Sequence, residues 1–159
     1  MPRQAERLRI GCRVATSAAD LAAHHAVRHR VFVAEQHIFA GSDRDAHDAR
    51  PSTIPVIGDV DGTIGGSVRL FPLDAAGRRW QGDRLAVLPE FRAYGLGAPL
   101  VRFAVDTAGA RGGSVMVAHI QLANVRFFER LGWHRDGDLE TYAGLPHQPM
   151  AIDLGRGPR

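Results

Sequence analysis

The sequence predicts an α/β fold, a mixed sheet with helices packed on it. Short apolar runs rich in β-branched residues alternate with segments of helical period, the pattern of strands interleaved with helices. Asp61-Gly62 separates two of those runs, and Asp-Gly is a strong hairpin signal. Ser114–Ile120 is a nearly unbroken apolar run, as expected of a strand covered on both faces. The predicted order is β-α-(α)-β-β-β-α-β-α-β-β.

Each element has its own warrant. Ile10–Thr16 suits a first strand. Ser17 or Asp20 can cap the helix that follows, whose apolar positions Leu21, Ala22, Val27, Val31 and Phe32 recur near the helical period. Ala40–Ser52 carries Gly41, three Asp and Pro51 and reads as a loop. Ile54–Val60 and Thr63–Leu70 form the hairpin. Gly65-Gly66 inside its second arm points to a bulge or a close backbone approach. After the connection Leu73–Arg79 comes the strand Trp80–Leu88, which Pro89 stops. Gly95–Gly109 reads as a helix, with apolar Leu96, Leu100, Val101, Ala104 and Val105, and Gly112-Gly113 ends it. Beyond Ser114–Ile120, Leu122–Leu131 forms another helix, stopped by Gly132. Trp133–Leu154 holds two short strands around the turn Gly144-Leu145-Pro146.

Composition narrows the function. At 159 residues the chain reads as one domain, with a core over about 10–154 and Arg/Gly/Pro-rich tails at 1–9 and 155–159. All 20 basic residues are Arg, which excludes a Walker phosphate loop, a pyridoxal Schiff base and a lysine nucleophile, each dependent on an ε-amine. Cys12 is the one cysteine, so there is no internal disulfide, redox pair or thiolate zinc site. No apolar stretch approaches the roughly 18 residues of a membrane span, and the expectation is a cytoplasmic protein with no membrane partner. Five Glu, twelve Asp and no Lys leave a net charge of +3, although the pI is near 9.9. The arginines are scattered and aromatics are 7%, which argues against nucleic acid as a partner.

The richest segment runs from Leu85 to Ala98 and joins a strand to a helix through Arg92-Ala93-Tyr94-Gly95-Leu96-Gly97-Ala98. First-turn amides and the positive end of the helix dipole attract phosphate. Gly95 and Gly97 clear side chains from that approach, and Arg92 adds a permanent cation. The same pattern also fits a plain strand–helix turn in which glycine only relieves crowding. It is not a dinucleotide fingerprint, because Val101 stands where a third glycine would be.

These residues resemble the GCN5-related N-acetyltransferases (GNAT). Leu85–Ala98 matches that family's strand ending in Pro-Glu followed by [RQ]-x-x-G-x-[GA]. Gln121–Trp133 is similar to its second signature, N-x-x-A-x-x-F-Y-E-x-x-G-F. Arg28–Gln36 and Gly144–Met150 resemble the ElaA-like branch and its relatives from nitrogen-starvation gene clusters. The resemblance spans about residues 10–154. It implies a GNAT fold: a mostly antiparallel sheet, splayed between strands 4 and 5 and flanked by about four helices.

It also implies acetyl-CoA as co-substrate, with no metal. The pyrophosphate would sit on the amides of Arg92, Ala93, Tyr94, Gly95, Leu96, Gly97 and Ala98. The pantetheine arm would lie along Leu85, Ala86 and Val87, and an amide at or beside Val87 would bind the thioester carbonyl. Gln121, Asn124 and Phe128 would complete the cofactor site. The expected activity is direct acetyl transfer to a primary amine of a small molecule or peptide, by a monomer or homodimer.

The proton chemistry is open at this level. An alkylamine, with a pKa of about 10.4, must lose a proton before or during attack. The family's usual acid is the Tyr of F-Y-E; here that position is Phe128, leaving unaided thiolate departure, a water, or another residue such as Tyr142. Base candidates are His147 on the last hairpin, Glu35 near the end of the first helical region, and His119 at the end of the buried strand. Glu35 could instead pair with Arg28 or Arg30, and Glu140 reads most simply as a solvent-facing strand residue.

His25 and His29, four apart, have no carboxylate or thiolate to complete a metal set. Asp43–Asp48 imitates the start of a calcium loop but has Asp48 where Gly is required and Ile54 where Glu is. Asp43 and Asp45 are therefore expected to attract a cationic acceptor. Arg69, opening a connection over the cleft, is a further substrate-binding candidate, alongside Glu35 and His147. Two other readings share these features: a CoA or acyl-CoA-binding module without turnover, and an acyl-homoserine-lactone-synthase-like acyltransferase using longer acyl donors.

Overall fold

The computed structural model describes residues 8–155; the tails expected at 1–9 and 155–159 lie largely outside them. Eight strands form one sheet: β1 Ile10–Val14, β2 Ile54–Val60, β3 Thr63–Pro72, β4 Arg79–Val87, β5 Val115–Gln121, β6 His134–Arg135, β7 Glu140–Tyr142 and β8 Leu145–Asp153. Their order is β1-β2-β3-β4-β5-β8-β6, with β7 paired to β8. Only β4 and β5 run parallel; the other neighbours are antiparallel.

The helices are α1 Ala18–Arg28, α2 Gly97–Ala110 and α3 Val125–Arg130. Ser17 caps α1 by accepting from the Asp20 amide at 3.0 Å. The chain does not stop at Arg28 but runs on as a wider π-helical turn over His29–Glu35, which the apolar period, extending to Phe32, had merged with α1. Single 3₁₀ turns at Ala46–Ala49, Pro89–Tyr94 and Leu122–Asn124 occupy stretches the sequence reading left as loop or helix. The last segment holds three strands rather than two, because β8 is long enough for β5 on one edge and for β6 and β7 on the other.

Two cores cover the two faces of the sheet. Leu96, Leu100, Val101 and Ala104 of α2 and Phe128 of α3 pack with Val56, Val68, Leu70 and Met116. Val27, Val31 and Phe32 pack on Ala86 from the other side. The glycines of the hairpin set how closely α2 approaches. A Cβ on Gly66 would lie 2.7 Å from Leu100, and one on Gly65 would lie 2.3 Å from Phe91. Gly65 is also the extra residue of a bulge, since the β2–β3 register shifts between Gly58 and Asp59. The loop that opens α2 is therefore seated directly on β3.

Candidate active site

β4 and β5 pair only at Arg79–Gln81 with Val115–Val117. Beyond that β5 stays with β8 as far as Gln121, and β4 stays with β3 as far as Val87. Among the described residues the facing edges from Gly82 and from Ala118 onward have no strand partner, so the sheet splays. A bulge sharpens the divergence. Ser67 faces Ala86 while Arg69 faces Asp83, so Arg84 and Leu85 together oppose Val68. Arg84 sits at φ +53, a left-handed conformation that costs a non-glycine residue about 1–2 kcal/mol. The extra residue also switches faces: Trp80 belongs to the α2 core, as Leu85 and Val87 do, while Ala86 turns to the α1 side.

β4 leads into the turn Pro89–Tyr94, then Gly95 at φ +71, then α2. The amides of Gly97 and Ala98 donate to nothing among the described residues, and a Cβ on Gly95 would meet nothing within 4 Å. These are unpaired donors at the positive end of a helix, open to an anion. The Arg92 side chain is different. It is engaged bidentately by Glu35, at 2.7 and 2.5 Å, and donates through Nε to the Val87 carbonyl at 3.1 Å. Glu35 thus pairs with Arg92 rather than Arg28 or Arg30, and that guanidinium holds its carboxyl below the usual range. Arg30 pairs with Glu90 at 2.6 and 2.7 Å. Two ion pairs therefore clip the π-helical turn to the loop.

Inside the splay lies a cavity of about 120 Å³. Its wall includes Leu85 from β4, His119, Ile120 and Gln121 from β5, Asn124 and Phe128 beyond it, and Tyr142 and His147 from the last hairpin. His147 is only 4% exposed, and its Nδ1 lies 2.9 Å from the Leu145 carbonyl. Because a carbonyl only accepts, Nδ1 carries a hydrogen here, and Nε2 is the accepting nitrogen of the neutral ring. His119 has the same polarity: its Nδ1 is hydrogen-bonded to a Glu140 carboxylate oxygen, and Nε2 has no partner among the described residues. Glu140 is thus a histidine's partner, not a bystander at the surface. The Tyr142 ring stacks on His119 with centroids 5.0 Å apart. His119 also borders a second cavity of about 420 Å³, whose wall includes Asp136, Asp138, Glu140 and Arg79.

The acidic loop and Arg69 do not form part of a substrate surface. Arg69 is 0% exposed and takes Asp83 at 2.7 Å and Asp45 at 2.7 and 3.0 Å. Arg28, also 0% exposed, takes Asp43 at 2.7 Å and Asp48 at 2.7 and 3.0 Å. Arg84 adds contacts to Asp43 and Asp45 at 3.3 Å. Burial alone would raise the Asp45 and Asp48 carboxyls, but the Arg69 and Arg28 guanidiniums outweigh it and hold both below the ordinary range. Carboxylates already matched to buried arginines have little charge left to offer a ligand. The expectation for Asp43, Asp45 and Arg69 is therefore corrected: they anchor the loop to β3 and β4.

Sequence reading missed Arg84. Its signal was weak, one of several polar residues in a strand that also carries Arg79, Gln81 and Asp83, and only the bulge shows why it turns inward. As a whole, the unpaired β4 edge can receive an extended polar chain as an added strand. The amides of Gly97 and Ala98 lie where the anionic head of such a ligand would be held, and a histidine with an open nitrogen waits in the gap.

A family model described as "Acetyltransferase (GNAT) family" matches residues 30–133. An uncharacterised Bacillus subtilis protein, YyaT, is 25% identical over 144 residues, covering 89% of this chain and 94% of its own. Among solved structures, Escherichia coli ElaA superposes with a TM-score of 0.77 at 20% identity, over 91% of this chain and 99% of its own. An acyl-CoA N-acyltransferase from Pseudomonas aeruginosa gives 0.76 at 22% identity, over 91% and 99%.

Proposed function

Because the chain belongs to the acetyltransferase (GNAT) family, and so is an enzyme of acyl transfer from acyl-CoA, we propose that it carries acetyl from acetyl-CoA to the primary amine of a small acceptor. The observation that carries this reading is a run of unpaired main chain beside the cavity in the splay. The unpartnered edge of β4 from Gly82 to Val87 leads to the unpaired amides of Gly97 and Ala98. A histidine with an unclaimed nitrogen stands at the other end.

In this reading the diphosphate lies on the first turn of α2, with the Gly95 position kept clear of side chains. The pantetheine arm adds to the β4 edge, and Gln121 and Asn124 hold it from the β5 side. Amides near the bulge accept the carbonyl charge that grows as nitrogen attacks. The acceptor comes through the second cavity, whose wall includes Asp136, Asp138 and Glu140; carboxylates concentrate a cationic amine there. His119 borders both cavities, so it removes the amine proton through Nε2, while Glu140 fixes the ring's tautomer and aim. His147 presents its own Nε2 beside it and is the second candidate. Transfer is direct: Cys12 lies in β1 opposite Gly58, across two strands from β4, and takes no acyl group.

Calorimetric titration with CoA tests the reading. Gly95→Glu places a carboxylate in the diphosphate site and is expected to weaken binding about 100-fold, about 2.7 kcal/mol. Gly95→Asn, which tolerates the left-handed backbone, keeps affinity near wild type and controls for strain. Wild-type affinity in the Glu variant overturns the proposal. Thiol release with a panel of amines and with acetyl, butyryl and octanoyl donors separates acetyl transfer from longer acyl transfer and from binding without turnover.

A further inference from the structure

We propose that Tyr142 is the acid that protonates the departing thiolate, with Arg84 as the residue that positions it. This rests on the reading that acyl-CoA occupies the β4–β5 gap. The carbon ring of Phe128 lines that gap without a hydroxyl, wedged edge-on against Phe127 and Trp133 with centroids 5.3 Å away. Tyr142 reaches the same cavity from the β7–β8 hairpin.

The hydrogen-bond polarity is decided by its partner. Arg84 Nη1 lies 3.2 Å from the Tyr142 oxygen, and a guanidinium carries donors only. The phenol oxygen therefore accepts, and its own hydrogen is left to be given elsewhere. Both partners are held. The Tyr142 ring is stacked on His119 at 10° and set edge-on to His147 at 86°, with centroids 5.4 Å apart. The Arg84 guanidinium also donates to the Asp43 carbonyl at 3.0 and 3.3 Å. Arg84 is itself the bulge residue, and its side chain lines the gap together with Leu85 and Tyr142. The phenol thus faces the cavity that the acyl-CoA thioester would enter, and in this scheme the departing sulfur meets it there.

The atoms balance in this scheme. The amine lone pair forms the C–N bond, the C–S bond breaks, and sulfur leaves with its electron pair. Tyr142 gives that sulfur its proton. His119 removes the surplus proton from nitrogen and releases it to solvent, from which the tyrosine oxygen is reprotonated. The products are an amide and free CoA thiol.

Tyr142→Phe tests the assignment while keeping the ring and its stacking. Expected is a fall in kcat of about 100-fold, within the range general acid catalysis supplies. KM for acyl-CoA and for the amine should stay within about threefold, as for an interaction made only in the transition state, with calorimetric CoA affinity unchanged. A kcat within about threefold of wild type overturns the proposal, as does a loss confined to the amine's KM or a loss of CoA binding. Thiol release by the wild-type enzyme is scored separately, so failure of the acetyl-transfer reading is distinguishable from failure of this one.

Discussion

The two sides of β4 make opposite use of polar groups. On the α1 side, three arginines and four aspartates interlock, with Arg28 and Arg69 fully buried, Arg28 matched to two carboxylates and Arg69 to three. On the β5 side, past Gln81, β4's outer edge has no strand against it among the described residues, and the polar equipment is backbone plus two histidines, a tyrosine, Gln121 and Asn124, with Arg84 reaching in from the charged cluster. The charged side looks like a site in the sequence and is closed; the plainer side is open. Charge density marks where ions have been matched, whereas unpaired main chain marks where something else must bind.

The largest expected effect breaks the closed side. Arg28→Met leaves Asp43 and Asp48 buried without their main cation, and removing one partner of such a group costs about 3–5 kcal/mol. Urea denaturation should show that loss, while kcat per folded molecule stays near wild type. His119→Gln should do the reverse, with unchanged stability and kcat lower by about 100-fold. If the arginine variant instead loses turnover at full stability, the division between the two sides is wrong.

This division also explains what could be read from sequence. β2 and the Asp61-Gly62 turn follow from local rules, and their bounds agree to the residue. The glycines ahead of α2 mark the proposed anion cradle, and Gly95 there is both left-handed and open to approach. Arg92 was legible as a cation near that cradle, but its partner, Glu35, lies 57 residues away, and no local pattern reports such a pairing. Asp43, Asp45 and Arg69 failed for the same reason: a polar loop and a strand arginine look solvated until the fold brings them together. Glu140 became His119's partner only through the register that sets Glu140 against His147 and His147 against Gln121.

A smaller effect tests how closed the charged side is. His24, at its edge, is 0% exposed. Its Nδ1 donates to the Val56 carbonyl at 2.9 Å, and its Nε2 accepts from Arg28 Nη1 at 3.2 Å. Both nitrogens are used in the neutral form, leaving no place for a second proton, and burial pushes the ring down to about 4. An unfolded histidine titrates near 6.5. Between those values the unfolded chain holds a proton that the folded one does not. Stability is therefore full above about pH 6.5 and is lost as pH falls towards 4, by about 2 kcal/mol at pH 5. His24→Gln should remove that dependence. A wild-type stability that is flat between pH 7 and 5 would mean the ring is reached by water.

The smallest effect compares two ion pairs that are nearly alike. Arg30–Glu90 and Arg92–Glu35 are both bidentate, both largely exposed, and both tie the π-helical turn to the loop before α2. Exposed pairs of this kind contribute little to stability, so neither Glu90→Gln nor Glu35→Gln should move the urea midpoint noticeably. They differ in what else their arginine can hold. Arg92 borders the proposed diphosphate site, where Glu35 competes for it, whereas Arg30 has no such second claim. Glu35→Gln should therefore tighten CoA binding by about two- to fivefold, the scale of one exposed ion pair. Glu90→Gln should leave binding as it was. In an Arg92→Ala background the gain from Glu35→Gln should vanish. Weaker CoA binding in the Glu35 variant would mean that the carboxylate aims Arg92 at the ligand rather than withholding it, and that the loop is already set in its binding form.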